Sequence, residues 1–97
     1  MKKGTAMKFD NKAAGQTIRN LRESKNLSQD VLSGLAGIAR SHLSMIETGT
    51  KQANFQTIWR IALALEMRPS ELVARIEETA QKQSTSAGRP NNITKAD

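Results

Sequence analysis

The stretch "GLAGIARSHLSMIETG", residues 34–49, constrains this chain more than any other. Apolar residues recur at helical spacing on both sides of Gly37, so one helix stops there and another starts about two residues later. Glycine suits a left-handed helix end, and Gly49 stops the second helix in the same manner. Leu32 and Ala36 of the first helix can pack on Leu43 and Ile46 of the second, with Ile38 filling the corner. Ser33 falls where the two helices approach, and only a small side chain fits there. Burying those faces sends Arg40, Ser41, Ser44 and Met45 outward from a helix over 39–48. Their i, i+1, i+4, i+5 spacing makes one stripe.

The remaining pattern is helical as well. Ala14, Ile18 and Leu21 recur at helical spacing from about Asn11, and Asn26 is a stop signal because asparagine tolerates the left-handed conformation. Ser28 is positioned to cap a helix over 29–36, and Asn54 to cap one over 55–65. In the latter, Phe55, Ile58, Ala62 and Leu65 are expected on one inward stripe. Pro69 opens a fifth helix, which carries Leu72, Val73 and Ile76 and fades near Lys82. The expectation is an all-α domain of five short helices over 11–82. Residues 1–10 read as a flexible basic arm, and the polar, turn-rich stretch 83–97 as a disordered tail.

Composition narrows the chemistry. The 97 residues are enough for one domain. They include no cysteine and a single histidine, so neither disulfides nor thiolate metal sites are available, and no metal or cofactor is expected. His42 has no nucleophile–base partner in sight, so an enzyme is not expected. No apolar run approaches the roughly 20 residues of a membrane span and no signal peptide is visible, which points to the cytoplasm. The net charge of +6 is uneven. Lys2, Lys3, Lys8 and Lys12 oppose only Asp10, whereas Glu66, Glu71, Glu77 and Glu78 outnumber the basic residues of 61–82. Positive charge in the first two-thirds suits a polyanionic partner. Gly34–Gly37 also has the GXXG spacing of RNA-binding KH clamps, but flanking strands and an intervening basic residue are both missing.

The segments "IRNLRESKNLSQDVL", "AGIARSHLSMIETG" and "IALALEMRPSEL" together resemble the helix-turn-helix domain of phage repressor and Cro-type regulators. The resemblance covers residues 18–72 and implies a five-helix, lambda-repressor-like fold that inserts helix 39–48 into the DNA major groove as a dimer. It further implies that Gln29 reaches a phosphate from the first turn of its helix. Arg40, Ser41, Ser44 and Met45 would face base edges or backbone, with His42 near the backbone and Lys51 at the flank. Arg40 is open to either bidentate guanine contact or a phosphate. In this family the pair matching Arg22 and Glu47 forms a salt bridge that orients the inserted helix.

The chain departs from the family pattern in places. Glu66 stands where glycine is usual. Val31 and Leu35 are apolar where charged residues are usual, and Trp59 and Leu63 are apolar where partial exposure is expected. Trp59, Leu63, Val73 and Ile76 are expected to form a homodimer interface, while Val31 and Leu35 have no assigned partner. The leading expectation is a sequence-specific double-stranded-DNA-binding transcriptional regulator, acting as a repressor. Alternatives are an antitoxin that neutralises a partner toxin protein and regulates its own expression, a restriction–modification controller protein, and a helix-turn-helix used only for protein interaction.

Overall fold

The computed structural model describes residues 10–88, with side chains placed through Gln83. Its elements are α1 (Asn11–Ser24), α2 (Gln29–Ala36), α3 (Arg40–Thr48), α4 (Phe55–Ala64) and α5 (Pro69–Gly88), and no strand occurs among the described residues. The arm 1–9 and the terminal segment 89–97 lie outside the described residues.

Local chemistry sets the helix starts. The Asp10 carboxylate accepts from the backbone N–H groups of Lys12 and Ala13, so Asp10 caps α1 rather than belonging to an arm. Ser28 Oγ accepts from Val31 N–H at 3.1 Å, and Asn54 Oδ1 from Thr57 N–H at 2.8 Å. At the start of α5, the Glu71 carboxylate reaches back to the Arg68 N–H at 2.8 Å. Each of these satisfies a donor that the helix itself leaves orphaned. Only α3, preceded by Ala39, has no side-chain cap among the described residues.

The helix ends follow one device. After α1, α2, α3 and α4 the chain places Asn26, Gly37, Gly49 and Glu66 at φ of 59°, 72°, 82° and 61°. In each case the next N–H folds back onto a carbonyl five residues earlier: Leu27 to Arg22, Ile38 to Ser33, Thr50 to Met45 and Met67 to Ala62, all at 2.9–3.1 Å. This is the Schellman closure, in which the residue after the left-handed one contributes an apolar contact. Leu27, Ile38 and Met67 do so, packing against the core. Glu66 adopts the left-handed conformation without the glycine that would make it easy.

The core is built from Ile18, Leu32, Leu43, Ile46, Ile61, Leu65 and Leu72, all with essentially no exposure. Helix α1 packs on α3 and α5, α2 on α3 and α4, and α4 on α5. Gly15 sets the α1–α3 distance. A Cβ there would collide with the Ile46 carbonyl oxygen and stand 2.7 Å from that of Glu47. The backbones of α1 and α3 are in direct contact, with no side chain between them.

Three further expectations are corrected. Phe55 does not join the inward stripe of α4; it is 71% exposed, because it lies on the outward stripe with Trp59 and Leu63, while Thr57 and Ile58 of the same turn are buried. Ile76, expected on a dimer face, is 8% exposed and belongs to the core, since it lies one turn beyond buried Leu72. Helix α5 continues to Gly88 rather than fading near Lys82. A helix nucleated by packing propagates at little cost, so the stretch 83–88, which reads as disordered tail from its composition, is helical.

Two glycines inside helices give opposite expected outcomes. Gly15→Ala should destabilise by about 1–3 kcal/mol, the usual cost of overpacking. Gly34→Ala should stabilise by about 1 kcal/mol, because nothing lies within 4 Å of its Cβ position and alanine is the better helix former. Glu66→Gly should add up to about 1 kcal/mol by relieving the left-handed conformation. Urea melts of the three variants check all of these.

Candidate nucleic-acid interface

The turn between α2 and α3 positions the candidate surface. Gly37 at φ 72° closes α2, the Ile38 N–H donates to Ser33 O, and Ser33 is itself buried between the helices. Leu32 and Ala36 then meet Leu43 and Ile46 in the core, as their spacing implies. The opposite face of α3 carries Arg40, Ser41 and Met45, all exposed, and His42 and Ser44, both half-buried. Because Ala39 supplies no cap, the first turn of α3, the end that carries Arg40, has no side-chain partner for its N–H groups among the described residues. Lys51 is exposed just beyond α3, and its N–H donates to Met45 O at 3.1 Å, which fixes it beside that helix.

A buried polar network sets the orientation of α3. Arg22 Nε donates to Glu47 Oε2 at 2.7 Å and Nη2 to Oε1 at 3.0 Å, a two-pronged pair joining α1 to the end of α3. The Glu47 side chain is 2% exposed and that of Arg22 11%. Arg22 Nη1 also donates to Leu27 O at 2.8 Å. The bond to Glu47 raises the Arg22 pKa above its ordinary value against the opposing effect of burial, so the guanidinium stays charged wherever the protein is folded.

Gln29 enters the same network. Its Nε2 donates to Glu47 Oε1 at 2.9 Å, so one of its two amide donors is engaged inside the protein. The family resemblance implies a phosphate contact for Gln29; one amide hydrogen braces the ion pair from the start of α2, and the other is left for such a contact. Arg40 is also partnered, by Asp30, with Nε 3.1 Å from Oδ1. Neither Asp30 nor this role of Gln29 is visible in the sequence, because both partners lie across a turn whose angle periodicity does not supply.

A second surface lies on α4 and α5. Trp59, Leu63 and Val73 are each about half exposed, and Phe55 joins them. The Phe55 and Trp59 rings meet edge to face, with centroids 5.9 Å apart and planes at 61°. Phe55, Trp59 and Leu63 follow i, i+4, i+8 spacing, one stripe along α4. Buried Ile76 forms part of the floor of the adjoining groove, with Ala53, Ile58 and Val73. Val31 and Leu35 are likewise exposed, on α2.

The network predicts a strongly non-additive stability cycle. Arg22→Ala leaves the buried Glu47 carboxylate without its counter-charge and should cost about 3–5 kcal/mol. Adding Glu47→Ala should recover part of that loss. Gln29→Ala should cost about 1.5–3 kcal/mol, the range for a hydrogen bond to a charged group. Thermal and urea melts of the single and double variants measure these values; additivity of the Arg22 and Glu47 effects would contradict the pairing.

Comparison with known proteins agrees with the geometry. The helix-turn-helix family model matches residues 18–72. The control protein C.BamHI of Bacillus amyloliquefaciens is 37% identical over 60 residues, a match covering 61% of this chain and 74% of that protein. The HTH-type transcriptional regulator y4dL of Sinorhizobium fredii (strain NBRC 101917 / NGR234) is 32% identical over 76 residues, 74% of this chain. That match spans only 39% of the relative's own length. Among solved structures, the restriction-modification controller protein C.AhdI from Aeromonas hydrophila is similar at 38% identity and a TM-score of 0.63, covering 65% of this chain and 96% of that one. With more than half its length matched by the family model, and α2 and α3 joined through Gly37 as that fold requires, the chain belongs to the helix-turn-helix family of transcriptional regulators.

Proposed function

We propose that this protein regulates transcription by binding double-stranded DNA sequence-specifically as a homodimer, with α3 in the major groove. The observation that carries this reading is the division of α3 into two faces. Leu43, Ile46 and Glu47 are buried, and Glu47 is locked to α1 and α2, while Arg40, Ser41 and Met45 stay outside. A helix held at a fixed angle with a polar outer face fits a groove about 12 Å wide. In this reading Arg40 and Met45 approach base edges, with Ser41 and Ser44 beside them. Lys51 and the first-turn N–H groups hold the backbone. The half-buried His42 sits at the edge of the contact.

The apolar stripe of Phe55, Trp59 and Leu63 with Val73 is the proposed dimer surface. A two-fold dimer puts the two copies of α3 about 34 Å apart, one helical turn of DNA, and calls for a pseudo-palindromic site. Repression follows where such a site overlaps a promoter.

The restriction–modification controller reading is favoured by one further observation. C.AhdI, at 38% identity, is a restriction-modification controller protein, and C.BamHI, at 37%, is a control protein. Selecting bound sequences from random duplexes and mapping them onto the source genome tests it: sites beside restriction and methyltransferase genes support it, and sites elsewhere count against it.

Two outcomes test the general reading. Arg40→Ala should relax base preference at one symmetric pair of positions, a loss of about 1–3 kcal/mol of discrimination. Lys51→Ala should weaken all duplexes alike and lower the salt slope by about 0.9 for each phosphate no longer neutralised. Anisotropy titrations of selected and random duplexes at several salt concentrations separate the two, and equal affinity of the unmodified protein for both duplexes would overturn sequence specificity. In sedimentation at tens of micromolar, Leu63→Lys should convert a dimer to a monomer; a wild-type monomer with and without DNA would overturn the dimer.

A further inference from the structure

Asp30 is out of place on the surface just described. It stands in the first turn of α2, and its side chain is 80% exposed beside the outer end of α3. Arg40 and Lys51 there are basic, and the partner proposed is a polyanion. A carboxylate at that position repels phosphate and weakens binding to every duplex. Its ion pair with Arg40 joins two exposed groups, and such pairs contribute little to folding. A carboxylate in the first turn of α2 does favour that helix end, but this requires no contact with Arg40 and does not account for the pairing.

The geometry of the pair supplies a different account. Asp30 Oδ1 lies 3.1 Å from Arg40 Nε, and Arg40 is the first residue of α3, with 56% of its side chain exposed. A guanidinium has five donors in a planar fork. The contact is a charge–charge approach of Oδ1 to the Nε edge, and it leaves the two terminal nitrogens, the pair that can bond guanine O6 and N7 end-on, clear of Asp30. Without Asp30, this long side chain is free to swing to the nearest phosphate, a contact that carries no sequence information.

We propose that Asp30 is a positioning residue for Arg40: it holds the guanidinium for end-on reading of a guanine and keeps it off the phosphates, raising the ratio of specific to non-specific binding while lowering affinity overall. This rests on the reading of α3 as the base-contacting helix.

The test compares wild type, Asp30→Asn, Asp30→Glu, Arg40→Ala and the Asp30→Asn/Arg40→Ala double variant. Each is titrated by anisotropy against the selected operator, single-guanine variants of it and a random duplex, across salt concentrations. Thermal melts establish that exposed Asp30 is replaced without loss of fold. Asp30→Asn should bind random duplex several-fold more tightly, with a salt slope steeper by about 0.9 per subunit as Arg40 gains a phosphate. Its preference at the guanine read by Arg40 should fall about tenfold, within the range of one bidentate contact. Asp30→Glu, which keeps a carboxylate within reach, should retain most of that preference. In the Arg40→Ala background, Asp30→Asn should leave base preference unchanged. If Asp30→Asn shifts operator and random duplex by the same factor with every base preference intact, while Arg40→Ala relaxes one position, Asp30 is only a surface charge and the proposal fails alone. If Arg40→Ala relaxes no position, Arg40 does not read a base, and the proposal falls together with that part of the functional reading.

Discussion

The Glu47 carboxylate is the point on which this structure turns. It accepts two bonds from Arg22 and one from Gln29, and Arg22 passes a further bond to the Leu27 carbonyl. Four parts of the chain meet there: α1, the α1–α2 turn, the start of α2 and the end of α3. A buried ion pair of this kind adds little net stability over an apolar substitute, because desolvation offsets most of the attraction. Its effect is directional. Leucines could fill the same space at several helix angles, whereas a two-pronged guanidinium–carboxylate contact fixes a single one.

Core and turns are coupled through the helix ends. Each of the first four helices stops at a left-handed residue, and three of the residues that follow, Leu27, Ile38 and Met67, press back onto the core. A change of turn geometry therefore pulls an apolar side chain out of its packing. This makes short helices of 8–10 residues hold position in α2, α3 and α4, where their own propensity would not. Three residue types occupy the left-handed position, and only glycine does so without a steric cost; Glu66 is held there by Met67 and the closure bond to Ala62.

Much of this is legible in the sequence. The pairing of Leu32 and Ala36 with Leu43 and Ile46 follows from spacing on two helices joined by a glycine, and so does the outward stripe of α3. The Arg22–Glu47 pair is accessible only through the family resemblance, since nothing in a separation of 25 residues announces contact. Periodicity misleads where a residue fits two stripes: Phe55 is in phase with Ile58 and Ala62 at one edge and with Trp59 and Leu63 at the other, and it follows the exposed pair. Val73 and Ile76, three residues apart, lie close together around the helix, so spacing alone does not separate them; Ile76 falls directly below buried Leu72 and joins the core, while Val73 stays half exposed. Asp30 and Arg40 meet across the turn, so their contact depends on the interhelix angle, a quantity fixed by tertiary packing. Gly15 leaves one usable sign. A glycine inside an otherwise strong helix carries a cost, and here it is offset by the close approach of α3.

That close approach has a consequence for how such a protein can change. Gly15 lets the main chain of α1 rest directly on the last carbonyl groups of α3. The attitude of α3 is thus set by backbone against backbone and by one buried ion pair, none of which lies on its outer face. Residues 40, 41, 44 and 45 can be exchanged without retuning the mount that holds them. The scaffold separates aim from address: the outer side chains form a replaceable label on a rigid bracket, and a lineage or a designer can rewrite the label while the bracket stays as it is.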